Sequence, residues 1–106
     1  HGISYEVSYK TACPVTFNES KQAESATKAA MTLLGKENSN GDCEPRLFSE
    51  DFSILSAAKP GCFVLMGNGT SGSHARPLHA SNYDFNDELL VIGSSYWAAL
   101  AEQQLK

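Results

Sequence analysis

The sequence predicts an α/β fold in which helices pack on a small sheet. Three observations carry that expectation. Ile3-Ser4-Tyr5-Glu6-Val7-Ser8-Tyr9 alternates apolar and polar residues, the period of a half-buried strand. Cys62-Phe63-Val64-Leu65-Met66 is an unbroken apolar run bounded by glycines, the pattern of a strand buried on both faces. Helical periodicities fill the stretch between these runs and the stretch after them.

The elements follow in order. After the first strand, Pro14 breaks the pattern and Val15-Thr16-Phe17 continues extended. Asn18 is a capping residue, and Glu19 places negative charge in the first turn of a helix. Ala23, Ala26, Ala30, Leu33 and Leu34 share one face of that helix, and Gly35 stops it. Residues 36–46 are polar and read as a loop. Ser49 is a second capping candidate, with Glu50 and Asp51 at the positive end of a helix striped by Phe52, Leu55 and Ala58. Pro60-Gly61 ends it. Past the second strand, residues 67–83 form a long loop, of a length that is often functional. The last helix starts near Asp84 or Asn86. Leu89, Ile92, Tyr96, Trp97 and Leu100 mark its buried side, and it frays after Glu102.

Composition narrows the class. A chain of 106 residues buries roughly two-thirds of its unfolded surface, enough for a modest core. The net charge is −4 with no basic run, which argues against a nucleic-acid partner. No apolar stretch approaches the ~20 residues that span a bilayer, so no membrane partner is expected. Cys13, Cys43 and Cys62 are odd in number and form no CxxC, which fits a reducing, cytoplasmic compartment better than a disulfide framework. The chain opens on His1, and a strand pattern begins at Ile3. It is therefore expected to be part of a longer polypeptide.

Four segments, in this order, carry a family resemblance. They are Tyr9–Asn18 (YKTACPVTFN), Ser49-Glu50-Asp51-Phe52-Ser53, Pro60–Gly69 (PGCFVLMGNG), and Leu78-His79 followed by Tyr83-Asp84-Phe85-Asn86-Asp87. Together they resemble the end of an M20 amidohydrolase, in the branch of hippurate, auxin-conjugate and aminobenzoyl-glutamate hydrolases. The resemblance implies part of an α/β/α zinc-peptidase-like catalytic domain. Residues 1–9 would be the last strand of an inserted dimerisation domain, and 10–106 the return into the catalytic domain. The implied activity is hydrolysis of the amide bond of N-acyl amino acids or small peptides by a metal-activated water. Two divalent ions, Zn, Mn, Ni or Co, are implied as cofactors.

By the same resemblance His79 matches the family's last metal ligand, and neutral imidazole suits such metals. The family often has Asn-Pro after this His, where this chain has Ala80-Ser81. The general base and remaining ligands are expected outside the chain, so no catalytic residue is assigned within it. One imidazole cannot hold a metal alone, so the isolated chain is expected to bind none and to be inactive. His74 and Cys43 lack a zinc spacing and read as loop residues. Glu50 and Asp51 are candidates for lining the substrate cleft, with helix capping as the plain alternative. Gly67, Asn68 and Gly69 are further cleft candidates, with a tight turn as theirs.

Two functions follow. The first is the metal-dependent amidohydrolase, a homodimer as the full-length protein, whose isolated stretch self-associates because its apolar faces lack cover. The second is a non-catalytic binding or scaffold module without a metal site.

Overall fold

A computed structural model describes residues 2–106. Three α-helices form, α1 over Ser20–Leu34, α2 over Phe52–Ala58 and α3 over Leu89–Gln104, with short 3-10 turns at Lys36–Asn38 and Gly72–Ala75. The predicted small sheet is absent: among the described residues no β-strand forms, and the segments 3–9 and 62–66 are neither helix nor strand. The α/β expectation is therefore corrected to a helical fold with long irregular connections.

The reason is that a strand is a paired object. Its backbone N–H and C=O groups need a neighbouring strand, and an unpaired run has nothing to form a ladder with. Ile3, Tyr5, Val7 and Tyr9 keep their period-two pattern, yet all four side chains are exposed. At Phe63 the two backbone groups a neighbouring strand would use are taken by one side chain. Asn18 Nδ2 donates to the Phe63 carbonyl at 3.0 Å, and the Phe63 N–H donates to Asn18 Oδ1 at 2.8 Å. The Glu19 N–H donates to the Gly61 carbonyl at 2.9 Å, so residues 18–19 run beside 61–63.

Asn18 therefore bridges segments rather than capping α1. The cap is Glu19, whose carboxylate accepts from the Gln22 N–H at 3.2 Å. Gly35 ends the helix in the left-handed region, at φ 84°, where a side chain would be strained.

The core lies between α1 and α3. Ala26, Ala29 and Tyr96 are buried. Tyr96 Oη donates to the Ala26 carbonyl at 3.3 Å. Farther along α3, Gln103 Nε2 donates to the Ser25 carbonyl (2.9 Å) and Oγ (2.8 Å), and Gln104 Nε2 to the same Oγ at 2.6 Å. These bonds hold the helix end that was expected to fray after Glu102. Trp97 was expected on the buried side with Tyr96. It stacks edge-on against Tyr96 at 5.5 Å but remains 62% exposed, as do Leu90 at 62% and Val91 at 71%. A helix apolar nearly all round is built to be covered on more than one side, and α1 covers only one.

Candidate functional site

The candidate site is the loop between Gly67 and α3, and its anchor is Asn68. Asn68 Nδ2 donates to the carbonyls of His74 (3.0 Å) and Asp84 (2.8 Å), and Asn68 Oδ1 accepts from the Asn86 N–H at 2.8 Å. His74 Nδ1 lies 3.4 Å from the same Asp84 carbonyl and 4.0 Å from the Asp84 carboxylate. Gly69 makes this closure possible. Its φ is 146°, and a Cβ there would stand 2.8 Å from His74 Cβ. At Gly67 a Cβ would meet nothing within 4 Å, so no steric need fixes a glycine at that position.

Within the loop, Arg76 Nη1 donates to the Asn82 carbonyl at 2.7 Å. Between them the chain makes a turn closed by the Ala80 N–H on the Pro77 carbonyl at 3.1 Å. His79 sits at the third position of that turn with φ 72°, the only non-glycine residue with positive φ among those described. Such a position ordinarily takes Gly or Asn, and holding another residue there costs about 1–2 kcal/mol. Strain of this kind collects at functional sites. The His79 side chain is exposed, and its ring makes no hydrogen bond among the described residues. A free imidazole presented on a strained turn has the donor chemistry of a metal ligand.

The other candidates stand apart from this loop. Glu50 Oε1 accepts from the Phe52 N–H at 3.3 Å, which is capping of α2, while Asp51 makes no side-chain cap bond. Neither is hydrogen-bonded to the His79 loop among the described residues. No three His, Cys, Asp or Glu side chains among the described residues come together as a metal-holding group.

Concavities mark the surface. One of about 310 Å³ lies between Phe17 and the Ala58–Gly61 turn, and one of about 150 Å³ lies between α1, Cys62 and α3. Neither is lined by Glu50, Asp51, Gly67, Asn68, Gly69 or His79. At the second, burial pushes the Cys62 thiol up from its ordinary value. Burial, and then the nearby Cys62, likewise push the Tyr96 phenol up. Sequence reading missed the clamp function of Asn68. The available signal was an Asn between glycines, directly after an apolar run and before a loop His.

The profile of Peptidase family M20/M25/M40 matches residues 3–103, nearly the whole chain, and the chain belongs to that family. Its members are generally metal-dependent hydrolases. The chain is 32% identical to hippurate hydrolase of Campylobacter jejuni over 104 residues, 98% of this chain and 26% of that protein. It is 35% identical to IAA-amino acid hydrolase ILR1-like 2 of Arabidopsis thaliana over 98 residues, 88% of this chain and 21% of that protein. A second Arabidopsis thaliana relative, IAA-amino acid hydrolase ILR1-like 4, is 33% identical over 94 residues. The chain thus spans about a quarter of the length of the curated relatives it matches. No solved structure matches it. Among the described residues no helix is long and apolar enough to cross a membrane.

Proposed function

We propose that this chain is the carboxy-terminal stretch of a metal-dependent amidohydrolase that cleaves the amide bond of N-acyl amino acids or small peptides. His79 contributes one metal ligand. The observation that carries the reading is the strained His79, whose ring makes no hydrogen bond among the described residues, inside a chain 32% identical to a hippurate hydrolase. Divalent metals in such a site polarise the scissile carbonyl and lower the pKa of water, and Zn, Mn, Ni and Co all accept imidazole. The chain's own part is to present the ring and hold its backbone. Glu50, Asp51, Gly67, Asn68 and Gly69 border the cleft once the rest of the protein is in place. Residues 1–9 belong to an inserted dimerisation domain, of which residue 1 lies outside the described residues, and the full protein is a homodimer. Three free cysteines fit a cytoplasmic setting. Alone, the stretch is inactive and binds no metal stably.

The test is His79→Ala in the full-length protein, assayed on hippurate, IAA conjugates and a panel of other N-acyl amino acids. Turnover should fall by more than about 100-fold, and bound metal per subunit should drop. Unchanged turnover and stoichiometry overturn the assignment. The lack of any ligand cluster among the described residues favours a second reading, a non-catalytic module. Metal-ligand motifs and an acidic pair encoded upstream of residue 1 support the enzyme, and a start codon near residue 1 supports the module.

A further inference from the structure

We propose that Asn68 is the positioning residue of the His79 loop, an inference that rests on the ligand role given to His79 above. Its carboxamide uses both donor hydrogens and its oxygen on backbone groups, so the three bonds fix its orientation. Those partners lie on both flanks of His79, at His74 on the amino side and at Asp84 and Asn86 on the carboxy side. The span that carries the imidazole is therefore tied at each end to one side chain. The Arg76 bond to Asn82 narrows the span further. A left-handed backbone at a residue other than glycine persists only where its surroundings over-determine it, and this clamp supplies that restraint. Gly69 belongs to the same device, because a side chain there would push His74 away. Asn68 itself touches no reacting atom in this role.

The molecule carries its own control. Asn18 makes the same kind of carboxamide bridge, to Phe63, away from the loop. The experiment compares Asn68→Asp and Asn18→Asp in the full-length protein. Asn68→Asp keeps the size and the acceptor for the Asn86 N–H but turns a carboxylate oxygen toward two carbonyls. Three quantities are read: amide hydrogen exchange over residues 74–86, affinity for Zn²⁺ and Mn²⁺ titrated separately, and kcat against KM at saturating metal. In Asn68→Asp, exchange over 74–86 should quicken while α1 and α3 stay protected. Metal affinity should fall about 10–100-fold, the scale of losing an outer-shell partner, and the loss should appear in kcat more than in KM. Asn18→Asp should leave exchange over 74–86 and metal affinity at wild-type values. Unchanged exchange over 74–86 in Asn68→Asp overturns the clamp, and so does an equal loss of metal affinity in Asn18→Asp. His79→Ala run alongside separates the two ideas. If it keeps full activity, the ligand reading fails, while the exchange measurement still decides the clamp.

Discussion

His79 carries a backbone penalty, and its exposed ring makes no hydrogen bond among the described residues. Replacing it with a residue at ease in the left-handed region should reveal that penalty. His79→Gly and His79→Asn are expected to hold or raise thermal stability, by up to about 1 kcal/mol, while removing activity from the full-length enzyme. A loss of stability in both would show that the imidazole has a structural partner. A second residue-scale prediction concerns alkali. Cys62 and Tyr96 keep their protons more tightly when folded than when unfolded. The stability this gives is fully present below their ordinary values, 9.0 and 10.0, and is lost as pH rises through the raised ones. Urea midpoints should decline above pH 9, and Tyr96→Phe should flatten the upper part of the decline. Thiol reagents at pH 8 should reach exposed Cys43 before Cys62. The candidacy of His79 was legible in sequence through a motif. Its strain was not, because nothing in the residues Leu78-His79-Ala80 specifies a positive φ.

At the scale of elements, helices were legible and strands were not. The α1 periodicity and its glycine stop give a helix that the structure places at Ser20–Leu34, because capping and spacing are local signals. Gly35→Ala should lower stability by about 1 kcal/mol in a thermal melt, since φ 84° penalises any Cβ. A neutral result would mean that the helix end relaxes into another cap. The last helix begins at Leu89 with Glu88 at its cap position and no side-chain cap bond; Asn86, expected as a cap, instead accepts from the Glu88 N–H at 3.1 Å within the preceding turn. The two strand patterns failed for a physical reason. Alternation at Ile3–Tyr9 and the apolar run at Cys62–Met66 describe what their faces need, while pairing depends on polypeptide far away in sequence. The bonds of Gln103 and Gln104 to Ser25 were equally hidden, because polar residues at a helix end carry no mark of a distant acceptor.

The molecule as a whole is more spread out than a compact domain of its length. Its radius of gyration is 18.2 Å, where a compact chain of this length has about 13 Å. Its accessible surface is 9081 Å², where a compact protein of 11.4 kDa exposes about 5,800 Å². Phe17, Leu47, Leu65, Val91 and Trp97 are among the large apolar side chains left in water. The isolated 106-residue chain should therefore associate with itself and bind a hydrophobic dye. Sedimentation showing a monomer at high concentration, with no dye uptake, would contradict this. In the full-length protein the same surface should be shielded, and dye uptake should disappear.

The clamp at Asn68 also sets an order of assembly. Its farthest partner is only 18 residues away in sequence, so closing the loop carries a small entropic penalty. The tie between Ser25 and Gln104 closes a span of 79 residues and must come later. During folding the loop around His79 can therefore close before α1 and α3 are tied together. The turn bearing the imidazole would then be shaped ahead of the helix pair.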